Sequence, residues 1–305
     1  MKLSGYDDHL ADLSQAVIKE AASRRFDGGV DVRVFESVGS TNTWVKTHLS
    51  NASLSTRAVL LCATEHQTAG RGRRGKTWHS PDRGVTFSLA FTVGSPASEL
   101  SGLSLLCGEA VCKVLRSHGI AEARVKWPND ILVNGAKLAG ILVEVIHSRA
   151  DSATVIVGIG INYRRGQESE FIDQSSTDLS MLFNGKLPDR SELIGAVAGE
   201  LLEFCHGDIP HALTQLARRW HEYDALHETS IGVEAESDAD LCGLAAGIDG
   251  QGRLLLKTAN GVVPVAAGSI SIRGRYLALI NIRKALLTIV KRGTGCSFEV
   301  KCHVV

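Results

Sequence analysis

Residues 65–78 read Glu-His-Gln-Thr-Ala-Gly-Arg-Gly-Arg-Arg-Gly-Lys-Thr-Trp, with Gly70, Gly72 and Gly75 set among Arg71, Arg73, Arg74 and Lys76. Glycine lets a backbone take positive φ and bring its N–H groups up to an anion. Arginine adds planar, permanently charged donors that match carboxylate or phosphate. Taken alone, the stretch is as readily a solvated basic turn or a non-specific nucleic-acid patch. An acid and a base form a second candidate pair. Asp130 ends Lys126-Trp127-Pro128-Asn129-Asp130, and Lys137 follows seven positions later, across Asn134-Gly135. Asn-Gly between apolar runs is a strong hairpin signal and sets the two side chains on adjoining antiparallel segments. One use of such a pair is a cross-strand salt bridge worth under about 1 kcal/mol. The other is a carboxylate that holds Mg²⁺ and a lysine that neutralises phosphate.

Two further stretches carry groups in surplus of structural need. Ser40, Thr41 and Asn42 stand where a strand, a turn and a helix start meet; one of them suffices as a cap, so the others are available to a polar ligand. Gly158 and Gly160 lie on one side of an apolar strand, where glycine marks a close approach by a ligand or another backbone.

The elements that must position these groups follow from periodicity. Helices are expected over 10–26, with Leu10, Leu13, Val17 and Ile18 at helical spacing, and from Trp44 to Leu49. A long helix is expected from Ser95-Pro96 to Ser117, and two more over 190–205 and 209–223. Strands are expected over 32–36, 58–63, 131–133, 141–144 and 154–162, with 85–93 reading as half-buried because Val85, Phe87, Leu89 and Phe91 alternate. Residues 163–178 form a polar loop. Beyond Ile231, five short strands separated by Asp249-Gly250-Gln251-Gly252 and Ala259-Asn260-Gly261 suggest a small β-barrel. The expected organisation is a helical segment at 1–30, a larger α+β domain at 31–227 built on a mixed β-sheet flanked by helices, the barrel at 228–274, and a basic, apolar tail at 275–305 with no assigned role.

The 305 residues are 44% apolar and 22% charged, with 33 lysines plus arginines against 33 aspartates plus glutamates. No global field draws such a chain to nucleic acid or membrane, which weakens the basic-patch reading of the loop. Seven cysteines are scattered without C-x-x-C spacing, so reduced thiols are expected and a zinc site is not. No apolar run approaches the about eighteen residues of a membrane span, and the first residues lack a signal-peptide core. A soluble, cytoplasmic protein is expected.

Five stretches in order resemble the biotin protein ligases: Ser-Thr-Asn at 40–42, the Gly/Arg loop at 65–78, Lys-Trp-Pro-Asn-Asp at 126–130, Lys-Leu-Ala-Gly-Ile-Leu-Val-Glu at 137–144 and Gly-Ile-Gly-Ile-Asn at 158–162. The resemblance implies a class II synthetase-like core with an SH3-like barrel. It implies ATP and biotin as substrates with Mg²⁺, and biotin carboxyl carrier protein of acetyl-CoA carboxylase as acceptor. It leaves a homodimer open. Residues 1–31 are too few for the winged helix of the repressor members, so a ligase without DNA binding is expected. Carried over by position, Ser40, Thr41, Asn42, Gln67, Gly70, Arg71, Gly72 and Arg73 fall to biotin, with Gly140, Leu142, Gly158 and Gly160 lining its pocket. Asn129, Asn162 and Trp78 fall to the nucleotide. Lys137, Asp130 and Arg73 carry the chemistry, with Asp130 as the metal ligand or the group that orients Lys137.

Overall fold

The computed structural model describes residues 12–51, 59–79, 84–164, 175–183, 186–234 and 241–272. Leu10, residues 165–174 of the polar loop and the tail from 275 lie outside them.

The larger unit is a seven-stranded mixed sheet in the order β1-β2-β3-β7-β6-β5-β4. Its strands are β1 (Val30–Val38), β2 (Val59–Gln67), β3 (Val85–Val93), β4 (Arg124–Lys126), β5 (Asp130–Val133), β6 (Ala136–Ser148) and β7 (Ala153–Ile161). β1 and β2 are parallel, joined through α2 (Thr41–Asn51), and the other pairs are antiparallel. The β5–β6 turn is the expected one. Asn134 and Gly135 both have positive φ, 50° and 78°, as a type I′ hairpin requires.

Side chains alternate across a strand, so each strand offers the sheet's two faces different residues. On one face Leu61, Phe87, Leu89, Phe91, Val155 and Val157 join the main core with α3 (Leu103–Ser117), α5 (Arg190–Leu202) and residues of α1 (Gln15–Ser23). α1 and α5 pack closely at Gly195, where a Cβ would stand 2.5 Å from that of Ala21. On the other face Leu60, Cys62, Ala90 and Ile156 form a smaller cluster with Val45 and Leu49 of α2, against which Phe35, Trp44 and Ile146 pack. β3 is therefore covered on both faces, not half-buried, and its polar Ser88 is 0% exposed.

The long helix begins at Leu103 rather than at Ser95. The chain first makes a 3-10 turn at Ala97–Glu99 and then passes Gly102, which lies against Leu213 and Gly252 with no room for a Cβ. Two shorter helices complete the unit, α4 (Leu179–Leu182) and α6 (Ile209–Arg218).

Strands β8 (Ser230–Glu234), β9 (Leu241–Ile248), β10 (Leu254–Thr258), β11 (Gly261–Val265) and β12 (Ser269–Ile272) form an antiparallel sheet in the order β11-β10-β9-β8-β12. No ladder joins β11 to β12 among the described residues, so the sheet is not a closed barrel. It is fastened to the larger unit by Trp127 Nε1, which donates to the Gly252 carbonyl at 3.0 Å, and by Ser101 Oγ, which donates to that of Gln251.

Candidate active site

A cavity of about 350 Å³ opens on the thinly covered face of the larger sheet. Its lining brings together Ser40, Thr41, Asn42, Gln67, Arg71, Gly72, Arg73, Trp78, Asn129, Asp130, Lys137, Gly140, Leu142, Gly158 and Gly160. Of the residues expected from the sequence, Gly70 and Asn162 are not in that lining. Gly70 serves the loop itself: its carbonyl accepts from Trp78 N at 3.0 Å, and a Cβ there would stand 2.3 Å from the Trp78 carbonyl. Asn162 ties down the strand that carries Lys137, since its Nδ2 donates to the carbonyls of Lys137 and Thr177.

α2 starts at Thr41, so the Ser-Thr-Asn triplet lies in its first turn. Ser40 accepts from Trp44 N through its carbonyl, as a capping residue does. Gln67 Oε1, at the end of β2, accepts from both the N–H and the hydroxyl of Thr41. Ser88 Oγ lies 2.7 Å from Thr41 Oγ1 and 2.5 Å from Asn42 Oδ1, and Asn42 Nδ2 donates to Glu144 Oε2 at 2.7 Å. These groups form one buried polar edge, in which the single Ser88 hydroxyl hydrogen serves Thr41 Oγ1 and Asn42 Oδ1 in turn. Ser88 and Glu144 escape the sequence reading, and their only signal there is a polar side chain on the strand face opposite the apolar one.

The three strand glycines leave space, and side chains of the protein take it. A Cβ on Gly158 would meet Asn42 Oδ1 at 2.2 Å, and one on Gly160 would meet the Trp78 ring at 2.4 Å. At Gly140 the same ring would be 2.9 Å away. Trp78 thus lies flat over the sheet, and its Nε1 is buried without a hydrogen-bond partner. A buried donor left open costs about 1–3 kcal/mol, which a ligand acceptor would recover.

Lys137 Nζ meets Asp130 Oδ1 at 2.7 Å and stands 5.6 Å from the Trp78 ring centre. The β5–β6 register places Lys137 opposite Leu132 and Asp130 opposite Gly140, with a bulge between Ile131 and Leu132. Asn129 locks the hairpin to β6 through Nδ2, which donates to the Ile141 carbonyl at 2.8 Å. Arg71, Arg73, Arg74, Lys76, Lys126 and Lys137 line the cavity against one carboxylate, Asp130. In a chain of zero net charge this is a local anion trap.

Contacts of the loop arginines reach three parts of the molecule. Arg71 Nη1 lies 3.6 Å from Glu144 Oε1, Arg73 Nη1 donates to Asn129 Oδ1 at 3.4 Å, and Arg74 Nη1 donates to Ser269 Oγ at 3.0 Å. The last contact draws the smaller sheet into the site, whose lining includes Gly268, Ser269 and Ile270. Arg74 makes it from a left-handed backbone, φ 54°, which a non-glycine residue adopts at some cost. Behind the loop, Arg190 at the start of α5 pairs with Glu65, whose Oε1 also accepts from Leu13 N at 2.7 Å.

Among the described residues no cluster of three or more His, Cys, Asp or Glu side chains stands ready for a metal ion. Asp130 offers a single carboxylate, and one of its oxygens is engaged by Lys137.

Residues 34–162 match the biotin/lipoate A/B protein ligase family, which leaves the acyl group open between biotin and lipoate. Residues 232–273 match the biotin protein ligase C-terminal domain, and two ligases 33% and 34% identical, matched over 76% and 87% of their own length, decide it. The chain belongs to the biotin protein ligases. This ligase is 34% identical over 242 residues to the biotin–[acetyl-CoA-carboxylase] ligase of Mycobacterium tuberculosis, covering 78% of this chain and 87% of that one. It is 33% identical over 252 residues to the bifunctional ligase/repressor BirA of Escherichia coli, covering 82% and 76%. The Aquifex aeolicus biotin protein ligase in complex with biotin and ATP shares the ligase's fold, with a TM-score of 0.62 at 22% identity over 79% of this chain and 97% of that one.

Proposed function

We propose that this chain activates biotin with ATP to biotinyl-5′-AMP and transfers the biotinyl group to a lysine of a biotin carboxyl carrier protein of acetyl-CoA carboxylase. The observation that carries this reading is the cation-lined cavity at whose hairpin wall Lys137 and Asp130 meet at 2.7 Å. In the first step a biotin carboxylate oxygen attacks the α-phosphorus of ATP, and the bond to the pyrophosphate oxygen breaks. Two anions must approach, so fixed positive charge in a shielded site lowers the barrier. Under this reading Lys137 stands between carboxylate and phosphate, and Asp130 holds its ammonium in place. Arg73 and Asn129 face the nucleotide, while Thr41, Gln67 and Arg71 face the biotin head, with Ser40 and Asn42 setting their directions. Mg²⁺ accompanies ATP as part of the substrate, coordinated mainly by phosphate oxygens. In the second step the carrier lysine amine attacks the acyl carbon and AMP leaves.

No described helix is long and apolar enough to cross a membrane. Incubation of the protein with biotin, ATP, Mg²⁺ and a carrier domain tests the proposal, with the carrier read by mass spectrometry. One biotinyl group on one carrier lysine is expected, together with biotin-dependent ATP–pyrophosphate exchange. Exchange that runs with lipoate and not with biotin would overturn it.

A further inference from the structure

We propose that Glu144 is a positioning residue of the biotin side of the site, acting through Arg71 and Asn42. The inference rests on the reading of the cavity given above. Glu144 lies on β6 two residues past Leu142, on the same strand face as Gly140 and Leu142, and its side chain is 21% exposed. Its two oxygens do different work. Oε2 accepts from the buried Asn42 Nδ2 at 2.7 Å, and Oε1 stands 3.6 Å from Nη1 of Arg71 in the loop.

The Asn42 amide is fixed on its other side. Ser88 Oγ, fully buried, supplies the hydrogen to Asn42 Oδ1 at 2.5 Å, so Nδ2 must face an acceptor. Gly158 leaves the space in which Asn42 stands. The carboxylate of Glu144 therefore joins a rigid internal edge to a loop cation that is 54% exposed. Arg71 meets a full negative charge. That charge holds the guanidinium at the Asn42 end of the cavity, and Lys137 pairs with Asp130 at its hairpin wall. Removing the Glu144 charge should loosen the biotin end and leave the nucleotide end unchanged.

Glu144→Gln separates the two functions, because glutamine still accepts from Asn42 and loses only the charge that faces Arg71. The expected result is a biotin KM raised about 2- to 5-fold, the range of a partly exposed ion pair, with ATP KM and kcat unchanged. Dissociation of bound biotinyl-adenylate should quicken by the same factor. In an Arg71→Ala background, Glu144→Gln should have no further effect, since the contact is already gone. A factor that persists undiminished in that background overturns the inference, as does an ATP KM that rises equally. If Glu144→Gln yields no folded protein, the residue belongs to the fold and the inference also falls. A parent protein without biotin-dependent exchange overturns the functional reading. A parent that works, with Glu144→Gln indistinguishable from it, overturns only the inference.

Discussion

The two faces of the seven-stranded sheet are built by opposite rules from the same strands. On the helical face Leu61, Phe87, Leu89 and Val157 are large, branched or aromatic, and 0% exposed. On the other face the neighbouring positions are Thr86, Ser88, Gly158 and Gly160, with Gly140 and Leu142 beside them. A single strand such as β3 carries both patterns interleaved, Phe87 and Leu89 on one side and Thr86 and Ser88 on the other. The helical face obtains stability by filling space. The site face gives space up, then recovers part of it with Asn42 and Trp78, which are aimed by hydrogen bonds and a loop rather than by bulk. The fold is thereby held mainly from one side, and the part of the other face beyond the α2 cluster is free to be polar and cationic.

The largest expected effect probes the helical face. Leu89→Ala, fully buried between the registers of Leu61 and Val157, should lower unfolding free energy by about 2–5 kcal/mol. Denaturant titration reads the loss, and biotin KM of the folded fraction should stay put. A loss below about 1 kcal/mol would mean that this face does not carry the fold. Next comes Lys137→Ala on the site face. Removing a fixed charge aimed at the reacting groups should slow adenylate formation about 10²–10³-fold, with a smaller stability change than Leu89→Ala. A normal rate of ATP–pyrophosphate exchange in Lys137→Ala would remove the lysine from the chemistry.

Those two outcomes would also separate what local sequence signals can carry from what they cannot. Asn134-Gly135 specifies its turn through two positive φ values, so the hairpin that pairs Asp130 with Lys137 was legible residue by residue. The five motif stretches likewise fall around one cavity. Which strand faces are covered is a tertiary fact. Alternation at 85–93 looks the same whether the second face meets water or α2, so the strand read as half-buried and Ser88, a buried hub, gave no signal. Glu144 reads as the polar end of an apolar strand until Asn42 and Arg71 are seen beside it. Strand glycine announced a close approach without naming the neighbour, and the neighbours are Trp78 and Asn42. Hairpin turns past Ile231 gave five strands, but closure depends on how β11 and β12 meet, which no turn encodes.

Gly158→Ala makes the sharpest test of the contrast, because it adds one methyl where the two rules meet. Its Cβ would stand 2.2 Å from Asn42 Oδ1, so Asn42 has to move. Asn42 is held by Ser88 at 2.5 Å and Glu144 at 2.7 Å, and any shift large enough to admit the methyl breaks at least one of these bonds. An overpacked site of this kind costs about 1–3 kcal/mol. The cost should be divided between a lower unfolding midpoint and a raised biotin KM, with ATP KM unchanged, because the displaced side chain lies on the Ser88 edge and not beside Asn129. Gly160→Ala supplies the matched control. Its methyl would strike the Trp78 ring at 2.4 Å, away from the Asn42 edge. If Gly158→Ala and Gly160→Ala raise biotin and ATP KM in the same proportion, the site face is a single deformable surface. A split between the two variants would show that its polar edge and its indole floor are positioned independently.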